Sequence, residues 1–152
     1  MSKLEVRIVR LDPLRVASAY GFGPSPEGIA WDKLLGWVRS KGLDLSQHRF
    51  FGFNNPDPSP GSPNYGYEQW ITVGPEVEAE GEIRVQAFHG GLYAVTRCES
   101  LETIGQAWKQ LFQWRETSKY KFAHHQLLEE CLSDPEGPES ELVLDLYLPI
   151  AE

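Results

Sequence analysis

The sequence is short of cysteine, of long apolar runs and of positive charge, and each shortage removes a class of function. Its two cysteines, Cys98 and Cys131, lie far apart and match no metal or redox spacing. They are expected to be free thiols in a reducing cytosol. No apolar run approaches the roughly 18 residues needed to span a bilayer. Met1-Ser2-Lys3-Leu4-Glu5-Val6-Arg7 alternates apolar and polar residues like a strand and carries no apolar signal segment, so a cytoplasmic protein without a membrane partner is expected. Basic residues number 14 against 22 acidic ones, a net charge of −8. Such a chain repels phosphate backbones, and no Lys/Arg stripe offsets that repulsion, so direct nucleic-acid binding is not expected. The balance favours cationic partners. Motifs for metal, cofactor and nucleophile are equally scarce. His124 and His125 are adjacent and would point to opposite faces of a strand, while His48 and His89 stand alone. No Gly-x-Ser-x-Gly elbow occurs. No metal and no cofactor are implied.

What the chain has is a core and a repeat. Hydrophobic residues make up 41% and aromatics 12% of 152 residues, enough for one compact domain or two half-domains sharing a core. Laid over itself at an offset of 77, the sequence matches in one register. Ala30-Trp31, Leu34-Leu35 and Trp37 fall on Ala107-Trp108, Leu111-Phe112 and Trp114. Ala17 falls on Ala94, and Asp57-Pro58 on Asp134-Pro135. A strand, a helix and a turn thus agree together, which reads as a duplicated half-domain, 1–76 and 77–152.

Each half has the same order of elements. In the first, residues 5–10 and 15–20 read as strands around an Asp12-Pro13 bend. A helix follows, with Ser25 at the cap, Pro26 in the first turn, Trp31, Leu34, Leu35 and Val38 at helical spacing, and Gly42 as the stop. Strands at 49–53 and 67–73 flank a proline-rich loop at 54–66 that is either a passive connection or a flap over a ligand. In the second half, strands at 83–88 and 92–97 flank Gly90-Gly91, Ser100 precedes a helix with the stripe Ile104, Trp108, Leu111 and Phe112, and 127–132 and 142–150 form a closing hairpin. The expected fold class is α+β: two βαββ units, each an antiparallel sheet covered on one face by its helix, with a cleft between the halves.

Strand alternation sorts the side chains. Leu142, Leu144, Leu146, Leu148 and Ile150 form an apolar row assigned to the helix side, leaving Asp145 and Tyr147 on the far face. By the offset, Glu68 and Trp70 are their equivalents. In the preceding strand Leu128 and Leu132 are assigned to the helix side, so Glu129 and Cys131 are expected to point away, while the face of Tyr93 is left open. Aromatic planes beside a desolvated carboxylate suit a flat, lipophilic cation.

The paired Ala-Trp-x-x-Leu-x-x-Trp helices, Gly90-Gly91-Leu92-Tyr93-Ala94-Val95, Leu128-Glu129-Glu130-Cys131-Leu132-Ser133-Asp134-Pro135 and Leu144-Asp145-Leu146-Tyr147-Leu148-Pro149-Ile150 together resemble the GyrI-like small-molecule-binding family. Phe51-Gly52-Phe53-Asn54-Asn55-Pro56 and Tyr65-Gly66-Tyr67-Glu68-Gln69-Trp70 are similar to its stand-alone branch, as is the absence of a helix-turn-helix ahead of the first strand. The resemblance implies a pseudo-twofold pair of βαββ units that binds hydrophobic cations. It also implies a pocket glutamate on the strand before the final hairpin, at Glu129, with Cys131 in place of the family's aromatic. The expected site is Glu129, Glu68, Trp70, Tyr147, Tyr93, Cys131 and Asp145, and the expected function is capture of bulky lipophilic, often cationic, aromatic compounds. Two other functions are compatible with the resemblance. One is hydrolysis of strained cyclopropane-containing electrophiles, with Glu129 or Glu68 as base. The other is modulation of a protein partner such as DNA gyrase.

Overall fold

The computed structural model describes residues 4–55 and 59–152, with Glu139 described by its backbone alone. Met1-Ser2-Lys3, the Asp57-Pro58 match and Pro56 of the 54–66 loop lie outside the described residues. The elements run β1 (Arg7–Leu11), β2 (Leu14–Gly23), α1 (Pro26–Lys41), β3 (Phe50–Asn54), β4 (Tyr65–Thr72), β5 (Arg84–Phe88), β6 (Gly91–Cys98), α2 (Ile104–Glu116), β7 (Lys121–Phe122), β8 (Leu128–Cys131) and β9 (Leu144–Ala151). Mixed helix and antiparallel strand is the expected class. The short β7, paired with the end of β9 through Lys121 and Phe122, has no counterpart in the sequence reading.

The chain forms two compact units. One is Leu14–Phe88. In it the strands pair in the order β3-β4-β2-β5, and α1 packs on β2 and β4. The other joins the described residues before Leu14 to His89–Glu152, with strand order β1-β6-β9-β8 and α2 alongside.

The 77-residue offset reappears in the pairing registers. Phe51 faces Trp70 in one unit, and Leu128 faces Tyr147 in the other. Ala17 faces Ile71, and Ala94 faces Leu148. Leu14 faces Phe88, and Leu11 faces Gly91. In the last pair the first strand of each repeat lies beside the second strand of the other repeat. The compact units therefore do not coincide with the sequence halves 1–76 and 77–152. Asp12-Pro13 gives a reason: a two-residue hairpin turn needs positive φ, and the proline ring holds φ near −65°.

The helices start and stop for local reasons. Pro26 opens α1, and Gly42 closes it in the left-handed conformation at φ 66°. Ser25 stands at the cap position, but its hydroxyl caps nothing. Ser100 accepts from the Glu102 amide at 3.1 Å and so caps a single 3-10 turn, Leu101–Thr103, ahead of α2. Leu34, Val38 and Ala30 of α1 are buried. Of the α2 stripe only Leu111 is; Ile104, Trp108 and Phe112 lie half-buried against Leu144, Leu146, Leu148 and Ile150. Among the described residues no helix is long and apolar enough to cross a membrane.

Candidate functional site

In the Leu14–Phe88 unit, strand alternation places Glu68 and Trp70 on the face away from α1, as expected, with Phe53 opposite Glu68 and Phe51 opposite Trp70. On the other side of β4, Tyr20 pairs with Glu68 and Ser18 with Trp70. Ser18 and Gln86 therefore flank the carboxylate from β2 and β5. Glu68 Oε1 accepts from Ser18 Oγ at 2.7 Å, Trp70 Nε1 at 2.9 Å and Gln86 Nε2 at 3.0 Å. Oε2 accepts from Asn55 Nδ2 at the longer distance of 3.3 Å. One oxygen is fixed by three donors, and the other keeps room for a further partner.

That acid borders a pocket of about 550 Å³ lined by Ser18, Tyr20, Asn55, Glu68, Arg84 and Gln86. Lys33 and Glu82 complete the rim, paired at 3.6 Å, and Lys33 also donates to the Tyr20 carbonyl at 3.0 Å. Trp70 does not line this pocket. It is 4% exposed and its ring packs against Phe53 (5.0 Å) and Phe88 (5.2 Å), so its contact with the site is the indole N–H on Glu68. The aromatic surface in the pocket is Tyr20, 40% exposed.

In the other unit, β9 behaves as its alternation predicts. Leu144, Leu146, Leu148 and Ile150 pack with α2, and Asp145 and Tyr147 lie on the opposite face. The register with β6 puts Tyr93 and Arg97 on that same face, which settles Tyr93. Tyr93 meets Tyr147 edge-on at 5.3 Å and donates to the Gln126 carbonyl at 2.6 Å. Burial, with Tyr147 nearby, pushes the Tyr93 phenol well above its ordinary range, so it serves as a neutral donor. Asp145 Oδ1 accepts from Arg7 Nη2 at 2.8 Å and Arg97 Nε at 3.1 Å. The Asp145 hydrogen bond and charge hold the Arg97 proton more firmly still.

The face expected for β8 is reversed. Leu128 pairs with Tyr147 and Glu130 with Asp145, so these two share the face away from α2. Glu129 pairs with Leu146 and Cys131 with Leu144, on the α2 side. Glu129 accepts there from Trp108 Nε1 at 3.1 Å, and Cys131 packs against the α2 cluster. Burial pushes the Cys131 thiol up, more than its contacts with Ser133 pull it down. Glu130, 5% exposed, accepts instead from Tyr147 Oη at 2.6 Å. The physical reason is that Leu128 is fully buried although it points away from the helix. Where both faces of a strand are covered, an apolar residue does not mark the helix side.

Geometry and sequence meet in one comparison: the family described as a GyrI-like small molecule binding domain matches residues 4–151. The chain is a GyrI-like small-molecule-binding domain. Solved structures share its fold. The C-terminal domain of EcmrR aligns with a TM-score of 0.75 at 13% identity over 98% of both chains. EcmrR in its DNA complex gives 0.78 at 16%, covering 98% of this chain and 58% of that one, so the GyrI-like domain spans little more than half of EcmrR. A protein from Listeria innocua described as a hydrolase gives 0.67 at 12%, over 97% of this chain and 92% of that one. SAV2435 bound to tetraphenylphosphonium gives 0.58 at 11%, over 97% and 94%. A search of curated proteins by sequence gave no match.

For this GyrI-like domain, sequence reasoning missed Ser18, Tyr20, Gln86 and Glu130. Tyr20 and Ser18 were within reach, since the alternation of β2 puts them on one face. Gln86 was not, because β5 reaches β2 only through the exchange of first strands between repeats.

Proposed function

We propose that this domain captures bulky, lipophilic aromatic cations, with Glu68 as the charge partner. The observation that carries this reading is the asymmetry of the Glu68 carboxylate. Three donors hold Oε1, while Oε2 borders a 550 Å³ pocket with one long contact. A charge fixed in advance loses little freedom on binding, so more of the attraction appears as affinity. Tyr20 offers a ring for stacking or cation–π contact. Arg84 and Lys33 on the rim disfavour a cation there, which confines the ligand's positive centre to the neighbourhood of Glu68. The tetraphenylphosphonium held by SAV2435 supports the same ligand class.

The resemblance also called for an acid before the final hairpin. Glu130, which shares its face with Tyr147, Tyr93 and Asp145, is the acid proposed for that part in place of Glu129. Tetraphenylphosphonium titrated by calorimetry tests the reading, with Nile red as a neutral aromatic. Glu68→Gln is expected to weaken the cation about tenfold, roughly 1.4 kcal/mol, and leave the neutral dye nearly unchanged. Equal losses for both would remove charge pairing from the mechanism.

A further inference from the structure

Gly21 and Cys98 occupy the same position in the two repeats. A Cβ on Gly21 would collide with the Pro26 carbonyl oxygen and come within 2.9 Å of the Ala30 nitrogen, so α1 rests directly on the backbone of β2. Cys98 does carry a side chain there. Its sulfur is 3.1 Å from the Ser100 carbonyl and 3.8 Å from Thr103 Oγ1, and it is buried. The helix beside it sits less deeply: α1 buries Pro26, Ala30, Leu34, Leu35, Trp37 and Val38, whereas α2 buries only Leu111.

Cys98, Thr103 and Ala107 line one side of a groove of about 820 Å³. These are the repeat equivalents of Gly21, Pro26 and Ala30, the residues that close the corresponding gap in the Leu14–Phe88 unit. The groove is polar and carries both signs of charge. Arg7 and Arg97 line it, each half-exposed and bound to Asp145 through one nitrogen, so further N–H donors are left over. Glu5 and Glu99 line it too, and the Glu99 charge also bears on Arg97. Gln106 and Gln110, one turn apart on α2, add amide donors and acceptors.

We propose that this groove is a second ligand site, independent of the Glu68 pocket, and that it takes zwitterionic molecules of the amino-acid and short-peptide class. The ligand carboxylate meets the spare guanidinium N–H groups of Arg7 and Arg97. The ammonium meets Glu5 or Glu99, and the Gln106 and Gln110 amides pair with the peptide groups between. Arginine suits the first role because its planar fork matches a carboxylate.

Triglycine titrated into ¹⁵N-labelled protein tests this, with N-acetyl-triglycine and triglycine amide as probes lacking one charge each. Triglycine is expected to shift the side-chain amides of Gln106 and Gln110, and blocking either end to weaken binding about tenfold. Cys98→Gly lets α2 settle on β6 and is expected to lower triglycine affinity by a similar factor while leaving tetraphenylphosphonium affinity unchanged. If that variant does not fold, the Gln106→Leu, Gln110→Leu double variant carries the test through the loss of triglycine affinity in calorimetry. Blocked peptides that bind as well as triglycine, shifts confined to other residues, or an absence of saturable shifts at millimolar triglycine would each overturn the proposal.

Discussion

Tyr147 donates its phenolic proton to Glu130 over 2.6 Å, with both side chains buried. Glu129, the next residue along β8, spends its carboxylate on Trp108 at the other face of the same strand. The two neighbouring acids therefore differ in what their loss should cost. Tyr147→Phe leaves a buried carboxylate short of a donor and is expected to destabilise by about 1.5–3 kcal/mol in urea unfolding. Glu129→Gln, half-buried and able to keep an acceptor for Trp108, is expected to cost about 1 kcal/mol or less. The opposite ranking would restore Glu129 to the far face.

The contrast between Gly21 and Cys98 can be measured in the same way. Gly21→Ala forces a methyl against the first turn of α1, an overpacking expected to cost about 1–3 kcal/mol. Cys98→Ala only removes a sulfur from a looser contact and is expected to cost about 1 kcal/mol. Equal costs would mean that α1 and α2 sit equally close to their strands.

In the proposed cation site Trp70 would act through Glu68, to which its indole N–H donates. Trp70→Phe keeps most of the packing on Phe53 and Phe88 and removes one of three donors to Oε1. Tetraphenylphosphonium affinity is then expected to fall several-fold, about 1 kcal/mol, less than the full worth of a hydrogen bond to a charged group because two donors to Oε1 remain. A ligand stacked on the indole itself would instead quench Trp70 fluorescence directly and lose affinity for Nile red as well.

Cys131 reports on the face of β8 through its chemistry. Because burial raises its thiol above the ordinary value, the thiolate is scarce near neutrality and appears only at higher pH. N-ethylmaleimide is expected to label it more slowly than free cysteine at neutral pH, with the rate still climbing above the usual thiol range of about 8.5. The folded state holds this proton longer than the unfolded chain does. Its contribution to stability is therefore full below the ordinary thiol value and declines as pH rises past it. Labelling as fast as free cysteine would place the sulfur on the surface.

The 77-residue repeat, the two helices and the inward row of β9 were all legible in the residues. The helices and the row rest on a local period, 3.6 for Trp31-Leu34-Leu35-Val38 and 2 for Leu144-Leu146-Leu148-Ile150, and the repeat on self-similarity at one offset. The shared face of Glu68 and Trp70 followed from that same period carried across the repeat, and so did the membership of Asp145 and Tyr147 on the matching face of β9.

Three things came from tertiary structure alone. The face of β8 was one, because Leu128 and Cys131 are apolar on opposite sides of a strand covered on both, and alternation names two faces without saying which is which. The neighbours of Glu68 were another, since Gln86 arrives through a pairing between the first strand of one repeat and the second of the other. The depth of each helix was the third: α1 lies against the backbone of Gly21, whereas α2 packs over the Cys98 side chain. Local periods are written into consecutive residues, whereas strand partners and helix depth depend on contacts between segments far apart in the chain.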